Sequence, residues 1–200
     1  MYRDTEKFIE LLNPHYNDAV NYCTALCYRH SLDDAKDLLQ ESLLKSLENI
    51  SSLKEDSKFR SWLFTIITRE YYNSHRRSFW KRFISTDAVP MPDIFDKASN
   101  NNDNNDDKDT LMKALEQLKP KERSAILLFE IGGFSIEEIT QMENEKSQSA
   151  VKSRLSRTRE KLQSIIKNLE SNSGNGEKII SNYKGDLENE TIGIIAGLKK

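Results

Sequence analysis

The sequence predicts an all-α protein of two small helical domains joined by a flexible acidic linker, the second domain a helix-turn-helix. Three observations carry that expectation. Apolar residues recur at helical spacing on both sides of residues 85–109, and no stretch shows the alternation of a half-buried strand. The segment "STDAVPMPDIFDKASNNNDNNDDKD" holds two prolines, five asparagines and seven aspartates. It has too little apolar surface to offset the entropy of ordering itself. Finally, four prolines and seven glycines among 200 residues leave long runs free to be helical. The expected division is residues 1–84, a linker over 85–109, residues 110–170, and a tail over 171–200 with too little periodicity to assign.

Taken in order, Pro14 opens a helix running to about His30, and Ser31 or Asp33 caps the next. On a helical wheel that next segment, "LDDAKDLLQESLLKSLENI", puts Ala35, Leu39, Leu43, Ser46, Leu47 and Ile50 on a dry side. Asp34, Asp37, Glu41 and Glu48 lie opposite, with Leu44 among them and Leu38 and Gln40 at the margins. A helix beginning near Ser57 buries Phe59, Trp62, Leu63, Ile66 and Ile67 and turns a stripe of Lys58, Thr65, Arg69, Tyr72 and Arg76 outward. Glu70 falls on the dry side, so either the helix turns near this point or that acid pairs with a cation.

The second unit reads as helix, helix, short helix, turn, long helix. Leu111, Ala114, Leu115 and Leu118 mark the first, Pro120 starts the second, and Gly132 and Gly133 end it. Ser135 followed by Glu138 forms a capping box. After the polar turn "ENEKSQ", Val151, Leu155, Thr158, Leu162, Ile165, Ile166 and Leu169 fall in one arc of a long helix. Its far side presents Ser149, Ser153, Ser156 and Arg157, flanked by Lys152, Arg154 and Arg159. Short hydroxyls with one long cation suit base edges in a major groove, and flanking cations suit phosphates on its walls.

Net charge of −2 conceals strong segregation. Residues 57–82 and 146–167 are each net +6, whereas residues 33–56 are net −4 and residues 85–109 net −5. Basic residues interleaved with an aromatic ring and hydroxyls fit nucleic acid, since cations neutralise phosphate and rings stack on unpaired bases. An acidic stripe edged with leucine fits basic helices of a partner. No apolar run is long enough to span a bilayer, and the start "MYRDTEKFIELL" lacks the basic end and apolar core of a signal peptide, so a cytoplasmic protein without membrane insertion is expected. Cys23, Cys27 and His30 share one helix side with Tyr16, Ala19 and Val20; core packing is favoured over a zinc or redox site, because no fourth ligand is evident. No metal or other cofactor is expected. The three histidines His15, His30 and His75 are scattered, with no paired carboxylates or glycine-rich phosphate loop, so the chain does not read as an enzyme.

"DDAKDLLQES", "KFRSWLFTI", "ALEQLKPKERSAILLFEIGGFSIEEI" and "AVKSRLSRTREKL" occur in that order. Together they resemble regions 2.2, 2.3 to 2.4 and 4 of bacterial RNA polymerase sigma factors of the extracytoplasmic function (ECF) type, over residues 5 to 168. The resemblance implies a transcription initiation factor. It implies that Asp34, Asp37, Leu38, Gln40 and Glu41 bind the clamp helices of the polymerase beta-prime subunit. It also implies that "SSLKEDSKF" and the helix after it open and capture the minus-10 strand, with Lys58, Arg60, Trp62, Arg69, Tyr72, Asn73, Arg76 and Arg77 on that surface. Ser149, Lys152, Ser153, Arg154, Ser156, Arg157 and Arg159 would then read minus-35 duplex, and the second unit would touch the beta flap. An anti-sigma factor is the further partner implied. The turn "ENEKSQ" departs from the usual apolar turn and is about one residue longer; Asn144 is suited to the left-handed conformation a glycine usually supplies.

A stand-alone helix-turn-helix regulator with an N-terminal sensing or dimerisation domain is the alternative. It requires an apolar pocket or self-complementary face in residues 1–83, where the sequence instead has one acidic and one basic stripe.

Overall fold

The computed structural model describes residues 2–27, 32–84 and 103–172. His30, most of the expected linker (85–102) and nearly all of the tail (173–200) lie outside the described residues. Eight α-helices and three short 3-10 turns, with no strand, make up the described residues.

The first domain comprises α1 (Tyr2–Leu12), α2 (Tyr16–Leu26), α3 (Leu32–Glu48) and α4 (Phe59–Ile84). Pro14 sits in a 3-10 turn, Asn13–His15, between α1 and α2, where its missing N–H costs nothing. Tyr22, Leu26, Phe59, Leu63, Ile67 and Tyr71 are buried at the centre of this bundle, with Phe8 closing one end edge-on against Phe59. The buried side of α3 is rotated from the expected one. Ala35, Leu38, Ser42 and Ser46 face inward, while Leu39, Leu43 and Leu47 are half-buried. Small side chains at three of those positions let α2 and α4 approach α3 closely, which a wheel weighted toward leucine does not anticipate. Glu70 on α4 is buried and receives an ammonium hydrogen bond from Lys45 of α3, so the acid pairs with a cation. Lys45 is held above its ordinary pKa by Glu70, and also by Glu41.

The second domain comprises α5 (Asp103–Glu116), α6 (Pro120–Glu130), α7 (Ile136–Met142) and α8 (Gln148–Asn172). Helix α5 begins at Asp103, inside the span read as linker. The capping box forms as expected: Ser135 Oγ accepts from the Glu138 amide at 3.2 Å, and the Glu138 carboxylate accepts from the Ser135 amide at 2.8 Å. Asn144 takes the left-handed conformation, φ 51°, and Ser147 Oγ caps α8 by accepting from the Ala150 amide. Val151, Leu155, Thr158 and Leu162 of α8 are buried, and Ile165, Ile166 and Leu169 continue the same arc half-buried.

The two domains pack together, α2 and α4 against α6 and α7. Phe64 of α4 meets Phe134 with ring centroids 5.2 Å apart. Arg60 lies over the Phe134 ring at 4.4 Å, pairs with Asp18 at 3.3 Å and donates to the Gly132 carbonyl at 2.6 Å. Gly132 is required there, since a Cβ would lie 2.5 Å from the Leu128 carbonyl oxygen and 2.6 Å from the Phe134 ring. Arg123 of α6 is buried and donates to the carbonyls of Leu115 and Glu116, ending α5, and of Leu26, ending α2 in the other domain. Helix ends leave such carbonyls without intrahelical donors, so one guanidinium answers two helices at once. Replacing Arg123 with methionine removes these donors. We expect a loss of ~3 kcal/mol or more in urea unfolding, and a loss below ~1 kcal/mol would contradict this role.

Candidate polymerase and nucleic-acid interfaces

Three faces carry the residues singled out by the sequence. On α3, Asp34, Asp37 and Gln40 are exposed and Glu41 is half-exposed, but Leu38 is turned into the core with 6% of its surface accessible. The apolar group this face offers is Leu44, 62% exposed, one helix turn beyond Glu41. Its signal was already in the sequence, a leucine set among acids. Glu41 accepts from Lys45 at 3.2 Å and from Arg77 of α4 at 3.5 Å, and these cations hold its carboxyl below the usual range.

The α4 face divides in two. Lys58, Arg69, Arg76 and Arg77 are exposed, and Asn73 is half-exposed and lies 3.5 Å from Arg76. Trp62 is half-buried at a cleft of about 300 Å³ whose walls include Ser52, Lys54, Lys58 and Thr65 from the first domain and Glu138, Gln141 and Met142 from α7. Arg60 and Tyr72 are engaged by the second domain. The Tyr72 hydroxyl donates to Glu143 at 2.8 Å and lies 2.5 Å from Ser124 Oγ. Burial, and then the Glu143 carboxylate, pushes the Tyr72 phenol well above its ordinary pKa, so it stays a neutral donor.

On α8, Ser149, Lys152, Ser153, Ser156 and Arg157 are exposed. A groove of about 620 Å³ runs between this side of α8 and the start of α6, lined by Lys119, Lys121, Ser149, Ser153, Arg154 and Arg157 among others. Lys and Arg from two elements thus converge on one concave surface. Arg159 is partly exposed, paired with Glu130 at 2.8 Å and set over the Phe129 ring at 5.2 Å. Arg154 is largely covered and pairs with Glu143 and Glu145 of the preceding turn. Lys121, and also Arg154, hold Glu145 below the usual carboxylate range.

Cys23 and Cys27 are buried free thiols in the first core. Burial pushes the Cys27 thiol up to about 11, and raises Cys23 as well. Since the thiolate is the nucleophile, alkylation of the folded chain at pH 8 is expected to be slower than in urea by a factor of ~100 or more. Equal rates in both states would return these cysteines to the redox reading. No helix among the described residues is long and apolar enough to cross a membrane.

Two family models match the chain: sigma-70 region 2 over residues 11–81, and sigma-70 region 4 over residues 108–162. The RNA polymerase sigma factor YlaC of Bacillus subtilis is 30% identical over 135 residues, covering 66% of this chain and 77% of that protein. The ECF RNA polymerase sigma factor EcfG of Rhodopseudomonas palustris is 29% identical, covering 71% and 76%. Among solved structures, the sigma factor RpoE of Bartonella quintana, in complex with the anti-sigma factor NepR, matches with a TM-score of 0.63 and 26% identity over 84% of this chain and 98% of that one. Neither domain alone supplies that coverage, so both take part in the match.

Proposed function

Because the chain belongs to the sigma-70 family, as an ECF sigma factor of regions 2 and 4 that directs RNA polymerase to promoters, we propose that its three exposed faces divide that work. The α3 face of Asp34, Asp37, Gln40, Glu41 and Leu44 docks on the polymerase clamp helices. The α4 face, with Lys58, Arg69, Asn73, Arg76 and Arg77 around the Trp62 cleft, takes the unpaired minus-10 strand, and Arg60 and Tyr72 join it once uncovered. The exposed side of α8 reads minus-35 duplex, through Ser149, Lys152, Ser153, Ser156, Arg157 and Arg159, with Arg154 added when its glutamates release it.

The observation that carries this reading is the separation of charge by face within one chain. An acidic, leucine-bearing surface belongs to α3, and two basic surfaces belong to α4 and α8. Acidic surface repels DNA and attracts basic protein; basic surface with hydroxyls and rings does the reverse. Residues 1–84 and 110–170 then act as two modest binding modules whose linkage raises their joint affinity. The chemistry is binding, with no bond made or broken by the chain, and its place is the cytoplasm with the chromosome. The likeness to RpoE in complex with NepR supports an anti-sigma factor as a further partner, and the second domain as the contact of the polymerase flap is proposed with it.

Charge reversal at exposed Asp37, alone and with Leu44→Ser, is expected to weaken core polymerase binding by ~10-fold or more while leaving binding of the full chain to a minus-35 duplex unchanged. Equal loss of both would contradict separate faces. Arg157→Ala should cost ~1 to 3 kcal/mol in duplex binding and relax selectivity at one base position; a uniform loss across sequences would mark Arg157 as a phosphate contact.

A further inference from the structure

Glu70 is a buried acid of the first domain, 7% exposed, and none of the three faces proposed above uses it. A carboxylate kept out of water needs donors around it, and its two oxygens find them in different places. Oε2 accepts from Lys45 of α3 and lies 3.8 Å from the Arg77 guanidinium. Oε1 accepts from Asn73 Nδ2 at 3.3 Å, one helix turn along α4. Two residues assigned to the minus-10 surface, Asn73 and Arg77, therefore lean on one enclosed acid.

We infer that Glu70 is a positioning residue for minus-10 reading, which fixes the Asn73 amide with its carbonyl oxygen outward and so favours an unpaired base that offers an amino group.

The amide can lie only one way between its neighbours. A carboxylate has acceptors alone, so the part of the Asn73 amide against Glu70 must be its NH2 group. A guanidinium has donors alone, and exposed Arg76 lies 3.5 Å from the Asn73 oxygen. Both neighbours impose the same orientation. A free asparagine turns its amide over and serves as donor or acceptor equally, whereas a held one offers DNA a single order of groups. Oδ1 keeps a second lone pair, which suits the exocyclic amino group of adenine, cytosine or guanine. Thymine offers only a ring N–H flanked by two carbonyl oxygens, which an outward acceptor repels. Unpaired bases expose that edge for reading. Lys45 completes the arrangement: it neutralises Glu70 from α3, so no bare negative charge lies beneath a surface that must attract phosphate.

The test assembles the full chain with core polymerase and selects from a pool of forked duplexes whose unpaired minus-10 positions are randomised. The unsubstituted chain is expected to prefer amino-bearing bases over thymine by ~5-fold or more at one position, and Asn73→Ala to abolish that preference. Glu70→Gln, which keeps the shape but can donate as well as accept, and Glu70→Leu, which removes the partner, should each cut the preference by ~3-fold or more while total binding to the pool falls by less than ~2-fold. Combining Glu70→Gln with Asn73→Asp exchanges donor and acceptor and again leaves an oxygen outward, so the preference should return. In proton–nitrogen spectra of the free chain, the Asn73 side-chain NH2 signals should move in both Glu70 variants while the backbone signals keep the dispersion of a folded protein. An unchanged preference in the folded Glu70 variants, with Asn73→Ala still abolishing it, would leave Glu70 as a mere partner of Lys45 and overturn the inference. So would selectivity lost alike at every position, or no return in the exchanged pair. This role rests on Asn73 lying at the minus-10 surface, and failure of that placement shows separately, as Asn73→Ala leaving selection unchanged at every position.

Discussion

One buried guanidinium ties the two halves of this protein together. Arg123 ends α5 within its own domain and α2 in the other, through Leu115, Glu116 and Leu26. A charge taken out of water is costly unless every donor finds an acceptor, and these acceptors come from two domains. Arg123 therefore keeps all three of these acceptors only while the domains touch. Around it the contact is mixed in character. Phe64 and Phe134 supply apolar surface, Arg60 bridges to the Gly132 carbonyl, and Tyr72 joins Glu143. A junction of this kind is specific in register yet open to competition from water.

The function follows from how the same helices divide their circumference. Helix α4 gives one side to its own core, one to the second domain and the remainder to solvent, where its exposed cations lie. Helix α8 buries the Val151, Leu155, Thr158 and Leu162 arc and turns serines and Arg157 outward. Core packing thus sets the rotation of each surface proposed to read DNA, because the opposite side of each helix is dry. The acidic α3 face stands apart from both, pinned to α4 by Lys45 between Glu41 and Glu70.

Much of this was legible in the sequence, and the remainder was hidden for physical reasons. Periodicity identified the α8 arc, the Ser135 capping box and the two-glycine stop, because each is a local pattern with one structural solution. Asn144 in the left-handed region was likewise suggested by local chemistry, and a cation for Glu70 was one of the two outcomes that chemistry left open. The rotation of α3 was not, since buried Ser42 looks polar in a sequence while half-buried Leu39, Leu43 and Leu47 look like core. The start of α5 at Asp103 lay hidden in an Asn/Asp run that resembles linker composition. The domain junction was the least visible feature. Arg60, Tyr72 and Arg154 each read as free groups for nucleic acid; the folded chain gives Arg60 and Tyr72 partners in distant segments, and Arg154 partners in the turn just before its own helix.

The most direct test of the packed arrangement is a nuclear Overhauser measurement on the free chain with labelled aromatic rings. Tyr22 and Phe64 lie 5.2 Å apart within the first domain, and Phe64 and Phe134 lie 5.2 Å apart across the junction. Cross-peaks for both pairs are predicted in the absence of polymerase and DNA. A Tyr22–Phe64 cross-peak without its Phe64–Phe134 counterpart would show a folded first domain detached from the second, and would contradict the account.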